Sequence, residues 1–345
     1  MSDQGSYTIR GKRGTSTGLL IQAVGPGLPG SGDAAGATTS FFLGSDLHLG
    51  PDGSYSLTFS TEEPAQGDWL PLLPGTDNVL VRFSFQDWQH ETPGTIAITR
   101  TGGPESARVE MTPELAATML DEAARSIPLQ AAFYRGIGSR LASIGANRVV
   151  GPQRTTGYAA GNVQQWNLMG NFNLQSGQGL LVTVKDVPQA KYANFMAADP
   201  WLDSFEFLHH QSSLNRDQAR VDDDGYVRYV LGAPDPGVPN WIDTSELSHG
   251  IIFGRFQEVD GELGPEYAPT SAVVNLADLR QHLPGNTPSV SPQQRAEQLA
   301  ERKQLLMARF RYADPQHHEI VRRLGAVKDM LGRDLPLHTI RDEQI

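Results

Sequence analysis

The chain has 345 residues, a formal net charge of −11, no cysteine, and an abundance of glycine (36) and proline (23). That length supports one large or two medium domains with a real core, without covalent staples. The absence of cysteine excludes disulfides, thiolate nucleophiles and Cys-ligated metal sites, and the acidic balance argues against sequence-independent nucleic-acid binding.

In chain order, the opening MSDQGSYTIRG has no apolar core of a signal peptide, and the longest apolar runs, such as Leu19–Val24, are too short to span a bilayer. These features predict a cytoplasmic protein with no membrane partner. GPGLPG (25–30) matches a dinucleotide-binding glycine pattern in form only, because the glycine-rich SGDAAGATTS that follows does not open a helix. A turn at Asp52-Gly53 leads into YSLTFS, whose alternating Tyr55, Leu57 and Phe59 predict a half-buried strand. GDWLP, the strand-like LVRFSF with Arg82, then QDW and PGTIAI (93–98) complete a first β-unit, residues 1–112. Thr112-Pro113 places a hydroxyl at a helix N-cap and proline at the first helical position. Tyr134, Ile137, Leu141 and Ile144 repeat with helical spacing, so 113–145 reads as a helical connection and the polar 146–165 as a linker.

Residues 166–287 then repeat the first unit. At an offset of 172 residues Asp52-Gly53 meets Asp224-Gly225, Pro64 meets Pro236, Asp68 meets Asn240, Trp69 meets Trp241 and Leu70 meets Ile242. Val227, Tyr229 and Leu231 alternate as their counterparts do, Arg82 answers to Arg255, and PGTIAI to PTSAVV (269–274). Upstream, GLLI (18–21) parallels GLLV (179–182). The order and spacing of the matches read as a tandem duplication. Ser291-Pro292 with Gln294 forms a capping box that starts a helical hairpin over 288–332, its second helix marked by Ile320, Leu324, Val327 and Leu331 and followed by a tail, 333–345. The fold class predicted is therefore α+β, mainly β: two tandem β-units, each followed by helices. The C-terminal helices carry one apolar and one charged side, so they suit either their own sheet or a partner subunit in a homo-oligomer.

The stretch from His209 to Phe256 resembles an uncharacterised bacterial family catalogued as domain of unknown function number twelve-fourteen. The residues that carry the likeness are Ser213, Asn215 and Gln218, then Gly225, the run DPGVPNW from Asp235 to Trp241, Asp243, Gly250 and Arg255. The resemblance spans most of the chain and implies a jelly-roll-like β-sandwich for each unit. It implies little about activity. Family members carry a histidine where this chain has Leu247, and His249, two residues on, does not inherit that place.

The chemistry-bearing residues concentrate in the second unit. His209 and His210 are adjacent and point to opposite sides of a strand, His317-His318 have no carboxylate in helical register, and no H-E-x-x-H occurs, so no metal site is expected. Asp222–Asp224 reads as a solvated turn. General acid/base chemistry without an organic cofactor remains, with Asp243, His210, His249 and Arg255 as catalytic candidates beside Asp203, Glu206 and Glu246. Arg255 pointing inward needs a carboxylate, and Asp243 is the expected partner. In the first unit Pro71 stands where Asp243 does. DPGVPNW is a stiff arm, since its prolines fix two φ angles. It either plugs the core with its tryptophan or presents that ring to a ligand. Trp241, Asn240, Ser213, Asn215, Gln218, Trp69 and Trp88 are the candidate ligand-binding residues. Two functions stay open: an enzyme acting on a small, largely apolar molecule by hydrolysis, hydration or isomerisation, and a non-catalytic β-sandwich that binds carbohydrate or another small ligand by stacking on tryptophan. A third reading is an assembly module.

Overall fold

The computed structural model describes residues 5–25, 36–103, 110–155 and 161–310. The protein is mainly β. Its strands are β1 (Ser6–Lys12), β2 (Gly18–Val24), β3 (Thr38–Leu43), β4 (Ser54–Ser60), β5 (Asp68–Pro71), β6 (Asn78–Ser84) and β7 (Ala97–Gly102) in the first half. The second half has β8 (Val149–Arg154), β9 (Gln165–Asn173), β10 (Gln178–Lys185), β11 (Ala190–Ala198), β12 (Ser213–Asn215), β13 (Tyr226–Gly232), β14 (Trp241–Asp243), β15 (His249–Val259) and β16 (Thr270–Asn275). Two α-helices follow their halves, α1 (Pro113–Ser143) and α2 (Pro292–Phe310).

Among the described residues the strands form four open sheets, none closed into a barrel. They run β5-β4-β1-β7 and β3-β2-β6 in the first half, then β14-β13-β10-β16 and β12-β11-β15-β9-β8 in the second. The pairing is the same in both halves once β1 is matched to β10, β2 to β11, β3 to β12, β4 to β13, β5 to β14, β6 to β15 and β7 to β16. Only β8 and β9 have no counterpart. Each half has one core shared by its two sheets. Ile9, Leu19, Ile21, Leu57, Phe59 and Leu70 fill the first. Leu168, Val182, Phe195, Tyr229, Leu231, Ile242 and Ile252 fill the second, with the Phe195 and Tyr229 rings stacked at 4.3 Å.

The matched offset holds at atomic detail. Gly53 and Gly225 have φ of 75° and 79°, a left-handed turn that glycine enters without steric cost. Asp52 and Asp224 each accept the N–H two residues on, at 3.1 and 3.2 Å. The parallel pairing of β4 with β5 sets Thr58 against Trp69, and that of β13 with β14 sets Val230 against Trp241. Each indole N–H donates to the carbonyl nine residues back: Trp69 to Ser60 at 3.2 Å and Trp241 to Gly232 at 2.8 Å.

Two expectations change. GLLI lies in β2 and GLLV in β10, which occupy different places, because short apolar runs suit any buried strand and only pairing tells them apart. Within the expected linker 146–165, Val149–Arg154 is a strand, paired with β9 at the sheet edge, where a proline leaves no ladder bond unmade. Nearly all of GPGLPG, and Pro315, His317-His318 and the helix expected around Ile320–Leu331, lie outside the described residues. The capping forecasts hold: Thr112 Oγ1 accepts the Leu115 N–H at 3.2 Å, and Ser291 and Gln294 exchange bonds at 2.8 and 3.3 Å.

Candidate functional site

DPGVPNW lies against the outer face of the β14-β13-β10-β16 sheet. Val238 and Trp241 join Leu181, Val230, Val274 and Leu279 in a satellite core. Trp241 is 6% exposed, and the Arg295 guanidinium covers its ring at 5.2 Å. Arg295 holds the stretch directly, donating to Asp235 at 2.8 Å and to the Val238 carbonyl at 2.6 Å. Asn240 is buried, and its amide exchanges two bonds with the backbone of Arg220, at 2.7 and 2.8 Å. Asn240 and Trp241 are therefore interior residues with their polar atoms satisfied. Trp69 is half-buried in the equivalent place of the first half.

Two of the catalytic candidates, His210 and Asp243, lie together: Nδ1 of His210 is 2.8 Å from Asp243 Oδ2, with the histidine side chain 39% exposed and the aspartate 14%. Asp243 Oδ1 accepts the Ser245 N–H at 2.8 Å, which fixes the carboxylate. The expected Arg255–Asp243 pair does not form. Asp243 ends β14 in the four-stranded sheet, whereas Arg255 stands on the outer face of β15 in the other sheet. Its guanidinium contacts Met196 Sδ at 3.6 Å and lies 5.3 Å from the Phe253 ring centre. His249 is exposed at the start of β15, and among the described residues its imidazole bonds only to Ser248, at 3.4 Å.

Ser213, Asn215 and Gln218 sit where the halves meet. The Asn215 amide donates across to the carbonyls of Phe85 and Gln86, at 3.2 and 2.8 Å. Asn215 and Gln218 exchange side-chain-to-backbone bonds at 3.0 and 3.1 Å. Ser213 is bonded to Arg302, whose N–H groups reach its hydroxyl at 3.0 Å and its carbonyl at 3.1 Å. Burial holds the Arg302 guanidinium down at about 10.

Beside this contact lies a cleft of about 450 Å³. Its first wall is the loop Gln86–His90, its second is formed by Gln211, Leu214, Asp217, Gln218 and Pro239, and its third is α2 through Gln298, Glu301, Arg302 and Leu305. Trp88 is anchored by its indole N–H to the Phe85 carbonyl at 3.1 Å and carries Arg302 over its ring at 5.0 Å. Asp87 bonds His90 Nδ1 at 2.7 Å, and this bond holds its carboxyl below the usual range. The lining is dominated by hydrogen-bonding side chains, five of them glutamines.

The sequence points to Trp88 and Gln218 as ligand-binding residues and to α2 as a helix, but not to the rest of the loop or to α2 as part of a site. One signal was present. Arg295, Arg302 and Arg309 recur every seven residues, so they share a helix face, and they lie over Trp241, Trp88 and Phe85 at 5.2, 5.0 and 4.1 Å. Among the described residues, no cluster of three or more His, Asp or Glu side chains could hold a metal ion, and no helix is long and apolar enough to cross a membrane.

No family model matches the chain, and no curated protein matches it. Among solved structures, an uncharacterised protein from Burkholderia cenocepacia superposes with a TM-score of 0.73 at 24% identity, over 80% of this chain and 75% of that one. That likeness is one of fold alone. The VPA0106 protein from Vibrio parahaemolyticus has a TM-score of 0.45 at 11% identity, over 79% of this chain and 87% of that one, too distant to argue from.

Proposed function

We propose that this protein binds a polar, hydroxyl-rich small molecule of carbohydrate type in the cleft between its halves. The observation that carries this reading is the lining: amides and carboxylates converge around one tryptophan in a space of about 450 Å³. Small-molecule sites span roughly 300–1,000 Å³. Amides and carboxylates match hydroxyl groups as donors and acceptors, and an aromatic face stacks on the apolar side of a sugar ring. An apolar substrate would leave these groups desolvated and unpaired, at a cost. We read each half as a jelly-roll-like sandwich and the pair as a duplication whose seam, rather than either unit, supplies the site.

Titration with a panel of mono- and disaccharides and inositols, followed by tryptophan fluorescence and calorimetry, tests this. Saturable binding that Trp88→Ala and Gln218→Ala each weaken about tenfold supports it. Absence of binding across the panel, or binding indifferent to both variants, sinks it.

The His210–Asp243 pair favours a second reading, an acid/base enzyme. Its bond through Nδ1 leaves Nε2 to exchange a proton, and the carboxylate orients the ring. If a substrate is found, turnover that survives both His210→Ala and Asp243→Asn rules this out.

A further inference from the structure

The outer faces of two equivalent strands meet at the seam: Ser84 on β6 donates to Gln257 on β15 at 2.6 Å. Two residues back on each strand, and so on the same face, stand Arg82 and Arg255. Arg82 donates to Gln22 Oε1. Arg255 faces Asn194 across the β11–β15 ladder, and Tyr192 and Met196 flank that position.

Arg255 makes no ion pair with any described carboxylate, only the thioether and ring contacts above. Asn194 Oδ1 is buried without a hydrogen-bond partner among the described residues. This occurs in a chain with 39 acidic residues, so the lack of a counter-charge is not a matter of composition. Two carboxylates at the seam are engaged elsewhere. Glu91 accepts N–H groups from Gln86 and Asp87 at 3.0 and 3.3 Å, and Glu258 takes Lys191 at 2.7 Å.

We propose that the seam binds an oxyanion, a carboxylate or a phosphate, gripped by the Arg255 fork with Arg82 facing it and the Tyr192 hydroxyl as a further donor. A guanidinium presents two parallel N–H groups that match either anion. A hydroxyl on the ligand would satisfy Asn194 Oδ1. Burial lowers the pKa of Arg255, so a bound anion relieves a cost already present in the fold; burial and the charge of Arg255 also lower that of Arg82. Burial likewise raises the Tyr192 hydroxyl, which keeps it protonated as a donor. This site uses none of the cleft side chains and does not rest on the carbohydrate reading.

The test is thermal unfolding and calorimetry on the full chain with inorganic phosphate, acetate and chloride at one ionic strength. The expected result is a saturable rise in Tm with phosphate or acetate over chloride. Phosphate as the stronger ligand identifies a phosphoryl group, acetate a carboxylate. Arg255→Met should bind at least about tenfold more weakly, because a charged hydrogen bond is lost. It should also melt higher than the wild type in chloride. Arg255→Lys keeps the charge without the fork, and weaker binding by this variant supports the assignment should the methionine variant not fold. Equal Tm in all three salts, or wild-type affinity in the lysine variant, overturns it.

Discussion

Asp68 and Asn240 perform one task in the two halves: each side chain accepts the backbone N–H of the residue twenty positions earlier, His48 at 2.8 Å and Arg220 at 2.7 Å. The difference is charge. Asp68 also bonds the His48 imidazole, which raises that histidine above its ordinary value. A raised folded-state pKa stabilises fully below the unfolded value of about 6.5, and the contribution is lost as pH rises through the folded value. Asp68→Asn should return His48 to about 6.5 in an NMR titration. An unmoved histidine would show that its environment, not the carboxylate, sets the shift. Arg295 offers a second test. It is buried and bonds Asp235, Gln211 and Val238. Arg295→Met should cost about 3–5 kcal/mol in urea unfolding, because it leaves Asp235 without its ion pair. A loss under about 1 kcal/mol would mean the arginine acts as an exposed charge.

Among the elements, strands and helix starts were legible and edges were not. The alternation at Tyr55, Leu57 and Phe59, and at Val227, Tyr229 and Leu231, marks the faces that are buried. The helical repeat at Tyr134, Ile137, Leu141 and Ile144 marks the covered side of α1, although only Leu141 is fully buried along that helix. β8 was missed because a short edge strand with glycine and proline has the composition of a loop. The α2 capping box holds one wall of the cleft. Ser291→Ala should cost about 1 kcal/mol by urea denaturation. It should also weaken any cleft ligand, since Gln298, Glu301 and Arg302 ride on the helix. Unchanged stability would show that packing of the arginine face, not the cap, fixes α2.

For the whole molecule, the join between the halves is polar. Asn215 caps two carbonyls of the first half, Gln86 bonds Asp217 at 2.9 Å, and Ser84 bonds Gln257. Asn215→Ala should lower the free energy of unfolding by about 1–3 kcal/mol, since it orphans buried acceptors. It should also broaden the urea transition as the halves begin to unfold separately. A single transition at the wild-type midpoint would show that the aromatic–arginine contacts of α2 hold the halves alone.

The sequence by itself determined the turns, the caps, the matched tryptophans and the faces of the strands, because each depends on residues a few positions apart. Only the tertiary structure decided partners. Asp243 and Arg255 are twelve residues apart, yet they stand in different sheets, and Asp243 bonds His210 instead. Phe85 and Asn215, 130 residues apart, share a hydrogen bond. The cleft is assembled from four segments distant in the chain, 86–90, 211–218, Pro239 and 298–305, and it follows from how two similar halves stack. Periodicity reports which way a side chain points along its own strand. It carries no information about which strand, or which half, stands opposite.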